Sequence, residues 1–450
     1  MSARGEDDAH RLVTELNSTD AAQRATTVRA LQQSPDPRAL PGLICCLHGD
    51  DWQLREEAAI ALGRSRDRRA TAALVETLRD YSGDHAVQEL AAQALGEIGD
   101  PDAIPALLEA VEKGDESTHA AARQALARIP GAIEAVNAAL TSGSALRRRA
   151  AVDALPAIGG GSSVGAVAAR LGDVNPDVRQ AAARALGEIK AESAPAHLAR
   201  ALDDPDFEVR AEAAGAAGAL PEESGYPLLT RALGDSHWHV RQRAVLGLRT
   251  QTISRLELLR MALADAEAQV REDAANGLAY YGRGVLDSIA QQALSLVRSA
   301  MGDSEPRVRA RACVAVQGFR QSPEASELLS LALDDSEAFV RQHAAWSAGQ
   351  RGDKRLGERL LIALCDPVAD VRVAALRGLG DLYAPGVAEP MAALLKDENP
   401  VVRGAAAGAL RSVPIGRGRG RIMAVLEASL QDEDAEVRKE ASESLRCLSR

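Results

Sequence analysis

The chain has 450 residues, of which 46% are hydrophobic but only 2% aromatic, and its 53 basic and 64 acidic residues leave a formal net charge of −11. So few aromatics argue against a sandwich or a barrel, and the acidic balance counts against a dedicated nucleic-acid binder, whose affinity comes mainly from neutralising phosphates. The five cysteines make no C-x-x-C pair and no disulfide framework, and no run approaches eighteen apolar residues, so a reduced cytoplasmic chain without a membrane span is expected.

From the N-terminus, MSARGEDDAHRL is acidic and lacks the apolar run of a signal peptide. A repeat of about 31 residues then starts, in a divergent form. Arg24 marks a first copy, and Arg55, Gln88, His119 and Arg147 hold the equivalent place at similar steps. Residues 158 to 165, IGGGSSVG, interrupt it as a loosened turn between two helices. That turn separates divergent units over 1–160 from regular units over 161–450, the two parts continuous as one solenoid.

The regular units share one register. Asp stands six residues before Arg, Val immediately before it, and an Ala-rich run ending near Leu-Gly follows. The nine arginines are 179, 210, 241, 271, 309, 341, 372, 403 and 438. Each unit reads as two helices. In VRQAAARALGEI, the residues Val178, Ala182, Ala185, Leu186 and Ile189 fall on one stripe of a 3.6-residue helix, with Asp177 in its first turn, where a carboxylate suits the free N–H groups. A Pro or Gly turn then leads into a first helix, as in DPDAIPALLEAV around Pro105. About fourteen such units fill the chain, an all-α superhelix in which each repeat buries its apolar face only against its neighbours.

The pattern D-x-x-x-x-V-R-x-x-A-A-x-A-L-G-x-I followed by A-I-P-x-L, carried by DVNPDVRQAAARALGEI, LAAQALGEIGDPDAIPALLEAV and DPVADVRVAALRGLGDL, resembles the short bacterial HEAT repeat named after the phycobilisome lyases. The resemblance implies an α-solenoid with second helices on its concave side, in which the loop Asp and helix-start Arg tie neighbouring repeats together. It is specific for fold and weak for function.

Departures from the repeat mark candidate sites. The position five after the Arg points out of the second helix, and repeat eleven places Trp346 there, with His343 a turn earlier. The same column holds Arg184, Leu246, Asn276 and Arg377; Arg311 shares the column of His343, and Tyr280 lies upstream. An aromatic among arginines suits a protein partner. Trp52, Phe207 and Trp238, three before the Arg, and Phe339, two before, read as packing residues. His237-Trp238-His239 completes no zinc spacing. Arg417, Arg419 and Arg421 on a Gly-rich loop form a candidate anion or phosphate site. No catalytic residue, metal site or cofactor is assigned. The leading expectation is a non-enzymatic scaffold for another protein. The alternatives are a bilin-lyase-like enzyme subunit and, ranked last, a nucleic-acid binder of the HEAT-type DNA glycosylase kind.

Overall fold

The structure is a computed structural model, which describes residues 11–450 apart from 13, 17, 19, 81–84, 249–252, 283–286, 321, 384–385, 415–417 and 450. Among the described residues it contains α-helices and short 3-10 turns and no strand. The described residues hold fourteen second helices that alternate with first helices, as the repeat predicts. They fall into two compact units, residues 1–228 and 229–450, with seven second helices in each.

Several second helices start at a side-chain cap. In Pro176–Ile189, the Asn175 side chain accepts the backbone N–H groups of Asp177 and Val178, and Pro176 occupies a first-turn position where no partner for its nitrogen is needed. Val178, Ala182, Ala185 and Leu186 are buried, whereas Ile189 is only half-buried. Small residues let consecutive second helices approach closely. A Cβ at Gly96 would lie 2.7 Å from the Cα of Ala125, and one at Gly187 would lie 2.7 Å from the Cβ of Ala216. The recurring glycine therefore marks a backbone contact between repeats.

The Asp–Arg register builds a ladder. Arg179 donates through Nη1 to the carbonyl of Asp173, six residues earlier in its own turn, at 3.1 Å. Its Nε and Nη2 reach both carboxylate oxygens of Asp204 in the next repeat, at 2.7 and 2.9 Å. Asp204 Oδ1 in turn accepts the N–H of Asp206. One arginine thus closes its own loop and grips the loop that follows. In residues 229–450 the same bidentate pair joins Arg241 to Asp265, Arg271 to Asp303, Arg309 to Asp335, Arg341 to Asp366 and Arg403 to Asp432. Arg372 reaches Asp397 through Nη2. Burial pushes the carboxyls of Asp303, Asp335 and Asp366 up, and the guanidinium bound to each outweighs it, so all three sit below the usual carboxylate range.

The divergent repeats keep the position and vary the chemistry. Arg24 Nη1 donates to the Ser18 carbonyl, again six residues back, at 2.7 Å. Gln88 Nε2 donates to the Asp80 carbonyl at 2.9 Å. In the fifth repeat the register is one residue later than the sequence spacing suggests. Arg148, not Arg147, bonds the Ser142 carbonyl and both oxygens of Asp173. The N-cap Ser144 fixes this, because the ladder position lies four residues after the N-cap, and Arg147 is left exposed. The glycine run is compact: Pro156 and Gly159 close the helix Ala145–Gly159, Gly160 takes φ +48°, and Gly160–Ser163 forms a 3-10 turn. The stretch Ala145–Gly172, apolar and long enough to pass for a membrane span, is broken there and half buried against its neighbours.

Candidate functional site

The solvent-facing stripe of each second helix is set by the ladder. Positions −2, +1, +2 and +5 from the arginine follow one another at steps of three, one and three, which is one face of an α-helix. In residues 229–450 this stripe lines three hollows that share walls. The first, about 290 Å³, is bounded by Gln269, Glu272, Arg307, Arg311, Phe339 and His343. The second, about 540 Å³, takes Arg311 and His343 from the first and adds Val314, Trp346, Val373 and Arg377. The third, about 500 Å³, takes over Arg377 and Val401 from the second and runs across Gly404, Gly408 and Arg411 to Glu436 and Glu440. The result is one open trough over the last six second helices.

Its middle is apolar and aromatic. Trp346 is 41% exposed and Val401 61%, above a floor of buried Val373 and Ala374. His343 is held by its Nδ1 against the Phe339 carbonyl at 2.8 Å, and its ring stacks tilted on Phe339 with centroids 4.3 Å apart. Phe339 is itself 47% exposed, so it forms trough wall as well as packing surface. Arg311 is steadied by Glu272 at 2.9 Å. Exposed Arg307 and Arg377 make no ion pair or hydrogen bond among the described residues, which leaves two cations directed at solvent along the stripe. At the far end Arg411 pairs with Glu440 and Glu443 at 3.1 and 2.9 Å.

Of the residues singled out by sequence, Trp346, His343, Arg377 and Arg311 therefore meet around one hollow. Asn276 and Tyr280 are exposed but do not line it. Arg184 belongs to the other compact unit and is already engaged. It pairs at 2.7 Å with Asp153, which is only 6% exposed and also faces His119 at 3.8 Å and Arg149 at 3.9 Å. Burial pushes the Asp153 carboxyl up, and its contacts with His119 and Arg184 outweigh that, leaving it below the usual range.

Of the three arginines of the candidate anion loop, the structure describes two. Arg417 lies outside the described residues. Arg419 and Arg421 belong to the first turn of the helix Arg419–Ser429 rather than to a loop. Arg421 pairs with Glu389 at 2.9 Å, and Arg419 donates to the Leu448 carbonyl. Gly418 stands at the N-cap position of that helix without a side-chain cap. Among the described residues no group of three His, Cys, Asp or Glu side chains could hold a metal.

The trough also contains Arg307, Val401 and Glu436, which the sequence did not single out, and Phe339, which it read as a packing residue. Arg307, Phe339, Val401 and Glu436 all stand two before the ladder arginine. The signal for them is the −2 column itself, which lies on the same stripe as Trp346.

The family model for HEAT repeats matches eight overlapping segments running from residue 9 to residue 446, at 9–84, 40–127, 74–155, 133–206, 195–279, 256–349, 293–380 and 357–446. The chain is a HEAT-repeat protein. One curated relative is the phycocyanobilin lyase subunit alpha of Nostoc sp. (strain PCC 7120 / SAG 25.82 / UTEX 2576), 34% identical over 131 residues, which is 27% of this chain and 46% of the lyase subunit. Among solved structures, the HEAT-repeat chain is similar to the karyopherin Kap95p in a structure concerning RanGDP, with TM-score 0.54 and 15% identity over 100% of this chain and 67% of that one. It is likewise similar to Kap121p bound to Nup53p, with TM-score 0.54 and 16% identity over 99% of this chain and 57% of the other. The HEAT-repeat chain thus spans less than half of the curated relative, and its likeness to the karyopherins is one of fold.

Proposed function

We propose that this HEAT-repeat chain is a non-enzymatic scaffold that holds another protein along the second-helix face of residues 229–450. The observation that carries the proposal is the continuous trough. It joins half-exposed Trp346 and Phe339 to two unpaired arginines on a frame of rigid helices, a combination of aromatic and guanidinium groups that concentrates binding energy at interfaces. The karyopherin structures support it at the level of fold, since those solenoids are seen holding protein partners.

A photo-crosslinking amino acid at Val401, on the trough wall, tests this against the same group at Leu331, which is 68% exposed on a first helix. In the native host, a product of defined mass forms at Val401, is absent at Leu331, and is lost when Trp346→Ala is added. Equal crosslinking at both positions, or a product insensitive to Trp346→Ala, rejects the trough as the binding face.

The similarity to a phycocyanobilin lyase subunit favours one second reading, in which the chain binds a bilin for transfer to an acceptor protein. Co-expression with phycocyanobilin distinguishes the two. A scaffold purifies colourless, whereas a bilin-binding subunit carries visible absorbance that Trp346→Ala or Arg377→Glu removes.

A further inference from the structure

The trough is not uniform in charge, and the order of its charges runs with the repeat number. At the tenth repeat the stripe carries Arg307 and Arg311, the latter 48% exposed despite its pair with Glu272. The eleventh to thirteenth repeats supply Trp346, Val373, Val401, Ala405 and Gly408, with Arg377 between the aromatic part and the small-residue part and the carboxylates of Asp370 and Asp381 on either side of it. At the fourteenth repeat the stripe ends in Glu436, Glu440 and Glu443, beside which stand Lys439, Arg446 and the reaching Arg411, and Asp434 adds a further carboxylate to the trough wall there. A cationic end, a middle where apolar side chains surround Arg377 and its flanking carboxylates, and an end richer in carboxylates thus follow in sequence. The glycines matter as well. A Cβ at Gly404 would meet no atom nearer than 3.9 Å, so the trough floor there is open down to the helix backbone.

From this order we infer that the trough takes an extended, bipolar peptide segment of the partner protein, with acidic residues at one end, an apolar residue at its centre and basic residues at the other. The inference rests on the scaffold reading above and specifies its ligand. The length follows from helix packing. Neighbouring helices lie about 8–10 Å apart, so four steps from the tenth to the fourteenth repeat cover roughly 32–40 Å. At about 3.3 Å per residue, an extended strand of roughly 10–12 residues spans that distance. Acidic side chains then face Arg307 and Arg311, the apolar residue enters between Trp346 and Val401, and basic side chains face Glu436 and Glu440. A helix is a poorer fit, because roughly 12 residues of helix reach only about 18 Å. A uniformly acidic or uniformly basic segment meets repulsion at one end.

The probes are four fluorescein-labelled twelve-residue peptides with a central leucine: one bipolar, one with the same composition and alternating charge, one all-acidic and one all-basic. They are titrated by anisotropy into the full chain carrying Trp52→Phe and Trp238→Phe, so that Trp346 is the only tryptophan and reports occupancy of the trough. At 50 mM salt the bipolar peptide binds about tenfold more tightly than the alternating one, since two or more partly desolvated charge pairs separate them. It also shifts Trp346 emission, and Arg307→Glu with Arg377→Glu removes most of the difference. A difference of less than twofold, binding without a change in Trp346 emission, or no measurable binding by any of the four overturns the bipolar assignment. The crosslink at Val401 is independent of these peptides. A partner captured there by a chain without bipolar preference sinks this inference alone, whereas loss of that crosslink sinks the scaffold reading too.

Discussion

The ladder between Arg341 and Asp366 makes a quantitative prediction that its geometry supplies almost in full. Arg341 Nε and Nη2 lie 2.7 and 3.0 Å from the carboxylate oxygens of Asp366, and Nη1 donates to the carbonyls of Asp335 and Ser336 at 2.8 and 3.0 Å. Asp366 Oδ1 also accepts the Val368 N–H at 2.9 Å. The two side chains are only 14% and 8% exposed, so the pair is largely withdrawn from water. Asp366→Ala leaves half a guanidinium and a backbone N–H without acceptors, and costs about 3–4 kcal/mol. Asp366→Asn keeps an acceptor for Val368 and costs about 1 kcal/mol less. Arg341→Ala strands two carbonyls that water can reach in part, at about 2–3 kcal/mol. The double-mutant cycle isolates a coupling of about 1.5–2.5 kcal/mol, as befits a two-point charge-assisted pair. A solenoid need not melt in one step, so a single global transition is the wrong readout. Amide hydrogen exchange followed by peptide is the right one. At about 1.4 kcal/mol per tenfold, Asp366→Ala speeds exchange in Ala338–Arg351 and Ala369–Leu382 more than a hundredfold and leaves Pro176–Ile189 alone. A coupling below about 0.5 kcal/mol, or equal loss of protection in Pro176–Ile189, would refute the account of the ladder as a local clasp between repeats.

The ladder carboxyls of Asp303, Asp335 and Asp366 are held below the usual range by their arginines, so their stabilisation is complete above pH about 4 and is lost as pH falls through the lower native values. The helicity retained on heating, followed by circular dichroism, should hold from pH 7 to 5 and drop below pH about 4; a drop starting near pH 6 would implicate histidine instead. Gly349→Ala sets a Cβ 2.4 Å from the Cα of Gly378 and should destabilise by about 1–3 kcal/mol, whereas Gly404→Ala, whose Cβ meets nothing nearer than 3.9 Å, should stabilise by about 0.5–1 kcal/mol through helix propensity alone; chemical denaturation of the two variants compares them. Cys45, Cys365 and Cys447 are exposed, while Cys46 and Cys313 are buried, the Cys313 thiol pushed up to about 12 by burial. Ellman's reagent at pH 8 should therefore titrate three thiols in the native chain and five after denaturation.

The fold was legible because its determinants are local and repeated. The Asp-to-Arg spacing of six is the distance over which one guanidinium returns to its own loop carbonyl, as Arg179 does with Asp173. Val before the arginine and alanine three residues after it fall on the buried stripe. Legibility failed where a divergent repeat offered adjacent candidates. Arg147 and Arg148 satisfy the spacing almost equally, and the choice rests on Ser144 acting as N-cap, a detail of backbone geometry rather than of pattern. The placement of Arg419 and Arg421 on a loop failed for a related reason. Glycine marks permissive backbone, not an obligatory loop, and there the chain had already entered the helix that positions Arg421 against Glu389.

The candidate site is a harder case, because its residues are the ones the repeat leaves free. Within the +5 column, Arg184 and Arg377 look alike in sequence, yet one is tied to buried Asp153 and the other has no ion pair among the described residues. What separates them is the residue presented at +5 by the preceding repeat, Asp153 before Arg184 and Trp346 before Arg377. A carboxylate there draws the arginine across the face and closes it, while an aromatic leaves the guanidinium available and adds apolar surface beside it. Function in such an array is therefore written in pairs of neighbouring repeats read down one column. The aromatic and the cation at Trp346 and Arg377 become a candidate site because they are adjacent in that second direction.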